Sequence, residues 1–346
     1  MMGRPTPTLI GLDVCSRSIH AIQLIRENSA WHISGYAKLD RPTEADATTA
    51  SDIALLAERA SERGLSGSSV SMCLATTKHL STLMDIPPLS SGAPIGEITK
   101  VELCREASKN PEHCETAWWP LPSSGRMNES DRAMVVGCQI SDADEAIEPI
   151  ERAGFVVQIL DLRAAALLRA CRSVLGQSDC ITPVLEIGHH SGLIALAVGQ
   201  TLVYQRRVDF AGVHSIHRLL MTQLGVDADI ADHLLFEVGI AGPDPIPAIA
   251  RLPEVRDLLQ TVVDRIAEEV RSSIGFTTHK YNKLEVMPLL ICGEGGAIPG
   301  MTTTLARLLA CECRVVTPQI LLGGDCNVTD PSLITAIGLA MHGAAA

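Results

Sequence analysis

Residues 9–24 and 184–212 carry the same plan, and that repeat constrains the chain more than any other feature. Leu9-Ile10-Gly11-Leu12-Asp13-Val14 reads as a strand with one acid, Cys15-Ser16-Arg17-Ser18 as a small polar turn, and Ile19-His20-Ala21-Ile22-Gln23-Leu24 as a returning strand. Half a chain later, Val184-Leu185-Glu186-Ile187 is again an apolar strand holding an acid, and Gly188 closes it. Leu193 to Val198 follows, turns at Gly199-Gln200, and Thr201 to Val208 completes a meander. Small residues in such turns leave backbone N–H groups pointing outward, which suits close approach to a phosphate. Two readings stay open on the residues alone: two ordinary hairpins, or a duplicated α/β fold with one phosphate loop in each half.

Composition narrows the choice of partners and compartment. At 346 residues the chain is long for one core, so two to four subdomains are expected. A formal charge of −12 argues against nucleic acid or acidic lipid as the main partner. No apolar run reaches the ~18–20 residues of a membrane span, and the first residues, MMGRPTPTLIGLD, lack the pattern of a signal peptide. Eleven cysteines occur without a CxxC pair, which fits free thiols in a reducing cytosol. Cys311-Glu312-Cys313 reads as strand alternation rather than a metal site, which would need four converging ligands.

Along the chain, a third strand is expected over 31–39, a helix over 52–63 stopped by Gly64, and strands over 69–74 and 81–86, ended by Pro87-Pro88. A helix over 97–108, strands over 115–121 and 132–138, and a helix capped by Ser141 then form a small α+β insert. Within it, adjacent Trp118 and Trp119 should point to opposite faces of their strand: one into a core, the other exposed or part of a partner groove. A strand over 154–160 and a helix over 164–172 lead to a hinge at 176–179. After the meander come helices over 214–224 and 227–237, a Gly/Pro loop over 239–247 and a long helix over 253–278. Leu289-Leu290-Ile291-Cys292 is a buried strand running into Gly293-Glu294-Gly295-Gly296, before helices over 299–310 and 330–341. A glycine-rich turn between strand and helix favours nucleotide contact, or simply close packing.

The order of these elements, and the segments IGLDVCSRSIHAIQL (10–24), AGFVVQILDLRAAALLRA (153–170), VLEIGHHSGLIALAVGQTLVYQRRVDFAG (184–212), LLICGEGGAIPGM (289–301) and TAIGLAMHG (335–343), resemble the actin-like ATPase superfamily. Within it the chain is most similar to the PilM family of pilus assembly proteins, which shares the early insert with the division protein FtsA. The resemblance implies an α/β, actin-like (ribonuclease H-like) duplicated fold of two lobes around a nucleotide cleft. Residues 7–86 and 152–181 would form the first lobe core, and 87–151 the inserted, partner-binding module. Residues 182–213 and 288–329 would form the second lobe core, 214–287 its helical subdomain, and 330–343 the closing helix.

It further implies that Asp13, Ser16, Arg17, Ser18, Glu186, Gly188, His189, His190, Asp232, Gly293, Glu294, Gly295 and Gly296 face ATP, with Asp13 and Glu186 near Mg²⁺. The chain departs from the family where that chemistry would occur. Cys15 replaces a glycine, His20 a lysine and Glu186 an aspartate; His189-His190 replace small residues, and Leu235 stands where an adenosine lysine is usual. The histidine pair reads either as phosphate or metal contacts or as bulky turn residues, and the second reading is preferred for want of further ligands. ATP and Mg²⁺ binding are therefore expected to be weak or lost, with little hydrolysis. The expected role is a cytoplasmic scaffold, peripheral at the inner membrane, that binds the N-terminal cytoplasmic peptide of a single-span pilus protein and contacts a pilus assembly ATPase. An active Mg-ATPase and an FtsA-like division or filament scaffold are the competing readings; Trp118 and Trp119 are the partner-site candidates.

Overall fold

The structure, a computed structural model, describes residues 6–15, 17–27, 30–41, 50–123, 130–176, 179–240, 253–323 and 326–343. Ser16, residues 42–49 and 124–129, the middle of the 176–179 hinge and most of the 239–247 loop lie outside these residues.

The chain runs β1 (Ile10–Val14), β2 (Ser18–Glu27), β3 (Ala30–Asp40), α1 (Ala50–Glu62), β4 (Ser69–Cys73), β5 (His79–Asp85), α2 (Ile95–Glu106), β6 (Cys114–Pro120) and β7 (Arg132–Gln139). It continues through α3 (Ile140–Arg152), β8 (Val156–Asp161), α4 (Arg163–Ala170), β9 (Cys180–Ile187), β10 (Gly192–Val198), β11 (Thr201–Val208), α5 (Val213–Leu224) and α6 (Ala228–His233). The remainder is α7 (Pro253–Lys280), β12 (Glu285–Val286), β13 (Leu289–Cys292), α8 (Met301–Leu309), β14 (Cys313–Val315), α9 (Pro318–Leu322) and α10 (Ile334–Ala340).

Two large mixed sheets carry the repeat seen in the sequence. The first has order β3-β2-β1-β4-β8; the second has order β11-β10-β9-β13-β14, with β12 added beside β9. In each, an antiparallel meander joins a parallel strand: β1 pairs β4 as β9 pairs β13. The β10–β11 hairpin closes in two residues, with Gly199 at φ +57°, the positive φ that such tight turns demand.

Period-two alternation then divides the layers. Ile10 and Leu12 of β1 enter one core with Ile53 and Leu56 of α1 and Ile150 of α3. On the second sheet, Ile181, Leu185 and Ile187 of β9 meet Leu259, Val263 and Ile266 of α7, whose apolar residues recur every three or four positions. Between the sheets lies a third core of Ile22, Leu24, Val184 and Ala195 with Leu167 of α4 and Ile337 of α10. All seven residues of α10 are buried, the mark of a helix enclosed on every side.

Two expectations about the insert are corrected. β5, assigned to the first lobe within 7–86, pairs instead with β7 in a three-stranded sheet of order β5-β7-β6. α3, assigned to the module, returns Ile150 to the first-lobe core. Pro87-Pro88 ends β5 but says nothing of its partner, because pairing is settled by residues far along the chain. Nor does Ser141 cap α3: β7 runs directly into the helix and Gln139 takes the cap position without a side-chain bond. No helix among the described residues is long and apolar enough to cross a membrane.

Candidate functional site

The two acids of the repeated strands face the central layer, and one arginine joins them. Asp13 and Glu186 are buried, and Arg163, the first residue of α4, lies between them. Its Nη1 and Nη2 donate to the two Asp13 oxygens at 2.7 and 3.1 Å. Its Nε and Nη2 donate to the two Glu186 oxygens, each at 2.7 Å. Thr335 of α10 adds a hydroxyl donated to Glu186 at 3.0 Å. Burial works against a charge here, but Asp13 and Glu186 outweigh it and hold the guanidinium pKa well above its ordinary value. A cation at a helix N-terminus opposes the helix dipole; two carboxylates at hydrogen-bond distance offset that cost.

His20, opposite Asp13 in the β1–β2 ladder, is buried, and neither ring nitrogen has a hydrogen-bond partner. Burial lowers its pKa against the opposing pull of Asp13, so it is neutral and supplies no fixed positive charge. Beside it, burial and then Asp13 push the Cys15 thiol up to about 12, and burial raises Cys73 well above its usual range. Both are thiols rather than thiolates at neutral pH.

The remaining candidates fall into pairs around this centre. The β1–β2 turn closes through Cys15 N–H donating to Ser18 O at 2.8 Å, and Arg17 reaches across the cleft to Asp232 of α6 at 3.1 Å. The Gly188–Ser191 turn lines the cleft with His189 and His190. His189 Nδ1 lies 3.1 Å from the Glu294 carboxylate, so Glu294, which the resemblance implies faces ATP, is turned toward the second loop. Gly293 and Gly295 pack on β9: a Cβ would lie 2.6 Å from Ile187 O in the first case and 2.1 Å from Ile187 Cγ2 in the second. Close packing requires these glycines, whereas a Cβ on Gly296, also buried, would meet nothing nearer than 3.6 Å.

Trp118 and Trp119 do not join this cleft. They face opposite ways, as alternation requires: Trp118 packs on the small-sheet core, and Trp119 packs in the central layer, donating its indole N–H to Leu202 O at 2.9 Å. Both are half-buried and held by the chain itself.

The cleft, about 530 Å³, runs from Cys15, Arg163, Glu186 and His189 out to Thr77, Lys78 and Asp142, where the chain leaves β4 of the first sheet for β5 of the small sheet and α3 leads back. Its base carries two carboxylates against one guanidinium, with a neutral imidazole beside them. The carboxylates that a Mg²⁺ ion would need are committed to Arg163 and Thr335. Mg²⁺ therefore does not fit these two carboxylates while Arg163 holds them. Sequence reasoning missed Arg163, Thr335 and His214. Only Arg163 left a trace, as a lone cation opening the apolar stretch AAALL.

Paired meander sheets with α4 and α10 crossed between them, and one acid from each sheet at the base of the cleft, define the actin-like ATPase fold. The chain belongs to the family described as type IV pilus assembly protein PilM, whose model matches residues 121–344, well over half its length. Among solved structures, the PilM–PilN type IV pilus biogenesis complex aligns with a TM-score of 0.76 at 17% identity, covering 98% of this chain and 99% of that one. The ethanolamine utilization protein EutJ from Carboxydothermus hydrogenoformans aligns at 0.54 and 13% identity, covering 99% and 91%. ADP-bound MreB5 of Spiroplasma citri aligns at 0.50 and 10% identity, covering 96% and 94%. No curated protein sequence matches the chain at a significant level.

Proposed function

We propose that this chain is a scaffold of type IV pilus assembly whose nucleotide cleft is degenerate. On this reading it works at the cytoplasmic face of the inner membrane, through the N-terminal cytoplasmic peptide of a single-span pilus protein. Family membership over residues 121–344 supports the pilus role. The observation that carries the degenerate cleft is Arg163, bridging Asp13 and Glu186 at 2.7 Å to each. Replacing one arginine by a hydrated Mg²⁺ would require breaking a buried, four-contact ion cluster before any phosphate is gripped.

The peptide's seat is the outer end of the cleft, where Thr77, Lys78, Asp142 and Ala146 mark the junction of the small sheet with the first lobe. Trp118 and Trp119 act from beneath, by fixing the small sheet rather than by touching the peptide. The measurement is fluorescence anisotropy with the N-terminal cytoplasmic peptide of a single-span pilus assembly protein. Thr77→Arg should weaken binding at least tenfold while the melting temperature holds. Val101→Glu, on the exposed face of α2, should leave it unchanged. The reverse pattern would move the partner to α2, and an Asp13-dependent phosphate release would restore the active-ATPase reading.

A further inference from the structure

The turn that replaces the second phosphate loop brings three imidazoles to one point. His189 and His190 come from the β9–β10 turn, and His214 is the second residue of α5. Their ring centroids lie 5.0, 5.7 and 5.2 Å apart, and one nitrogen from each falls within 4.8 Å of the other two. A tetrahedral zinc ion with bonds of about 2.0–2.1 Å places its ligand nitrogens about 3.3 Å apart, so rotations moving each nitrogen by about an ångström close the site.

The backbone already holds this arrangement. Val213 N–H donates to Gly188 O at 3.0 Å, and His214 N–H donates to His189 O at 2.8 Å. Gly212 lets the segments touch, since a Cβ there would lie 2.2 Å from the His190 carbonyl carbon. The Glu294 carboxylate accepts from His189 Nδ1 at 3.1 Å, the kind of second contact that orients metal-bound histidines. His189 is buried, His214 half-buried and His190 exposed, so the cluster opens toward the cleft on one side.

From these observations we infer that His189, His190 and His214 bind one divalent zinc-class ion, with Glu294 orienting His189. Neutral imidazoles suit zinc, cobalt, nickel or copper; the oxygen-seeking Mg²⁺ is not their ion. Three protein ligands leave a fourth position on the cleft side for water or an anionic oxygen. The ion would tie the β9–β10 turn to α5 and, through Glu294, to the loop after β13. It would also return positive charge to a loop that has no lysine or arginine at its tip. This inference stands on the residues alone and does not depend on the pilus reading.

The test uses the full-length protein, stripped with chelator and titrated with Zn²⁺ by calorimetry, with Co²⁺ as the spectroscopic probe. One equivalent should bind with micromolar or tighter affinity. The cobalt form should show d–d absorption without a thiolate charge-transfer band, which separates this site from the eleven cysteines. His190→Gln, at an exposed position, should keep the fold by circular dichroism and lose at least 100-fold in affinity. Glu294→Gln should lose about 10–100-fold. A thiolate band at the first equivalent, unchanged affinity in His190→Gln, or binding of inorganic phosphate with no metal would each overturn the assignment.

Discussion

Arg163 makes the strongest demand of any single residue. Its loss leaves Asp13 and Glu186 buried without a counter-charge, a change that typically costs about 3–5 kcal/mol. Arg163→Ala should therefore lower the urea midpoint sharply, and millimolar Mg²⁺ should recover part of the loss while leaving the wild type unmoved. An unmoved midpoint would show that the bridge contributes little. His20 gives a pH signature of fixed sign. Its folded pKa lies below its unfolded value, so between the two the unfolded chain binds more protons and stability rises with pH. The contribution is complete above about 6.5 and is lost as the pH falls toward the folded pKa, with a slope of at most ~1.4 kcal/mol per pH unit. Asp13, Lys38, Asp330 and Arg163 surround the ring and set where that window ends. Urea titrations from pH 7 to 5 should show a flatter profile in His20→Leu, and an unchanged slope would remove His20 as the cause.

At the scale of elements, α10 is held by glycines rather than by apolar burial alone. A Cβ on Gly11 of β1 would lie 2.0 Å from Ala336 O, and one on Gly338 of α10 would lie 1.8 Å from Ala166 O of α4. Arg169 of α4 donates to Gly338 O at 2.8 Å, so the crossing is also hydrogen-bonded. Because the obstructing atoms are backbone, Gly338→Ala should destabilise by at least about 1–3 kcal/mol in chemical denaturation. Gly275, inside α7 with nothing within 4 Å of its missing Cβ, is the converse case: Gly275→Ala should stabilise by about 0.5–1 kcal/mol. If both substitutions moved stability the same way, the close crossing would not be what Gly338 serves. Most helices were legible from apolar spacing, and α7, expected over 253–278, runs over Pro253–Lys280, but the short α9 was not expected and α6 is regular only to His233. The assignment of β5 was not legible: its alternation fits either sheet, and only its pairing with β7 settles the choice.

For the whole molecule, the lobes meet through the Arg163 cluster, the Arg17–Asp232 pair and Trp119 on Leu202 O. A working nucleotide cleft at 100 times its dissociation constant would gain ~2.7 kcal/mol. With its base already bridged, the wild type at millimolar ATP–Mg²⁺ should gain less than ~1 kcal/mol, a thermal shift of a few degrees at most, with no phosphate release. Larger Mg²⁺-dependent stabilisation would show that the cluster opens for its ligand.

By itself, the sequence determined most of the strand-and-helix order and the duplicated plan, because apolar periodicity and turn residues act over neighbours in the chain, and its quoted motifs carried the resemblance to actin-like proteins. It also marked Cys15, His20, Glu186 and His189-His190 as the places where chemistry departs from a simple phosphate grip. What those residues do was decided in three dimensions. Arg163 lies 150 residues from Asp13, and His189 meets Glu294 across 105 residues. Local propensity carries no information about such partners. Burial does: two carboxylates in one dry layer stay charged only beside a cation, and here packing of α4 against both sheets makes that cation an arginine.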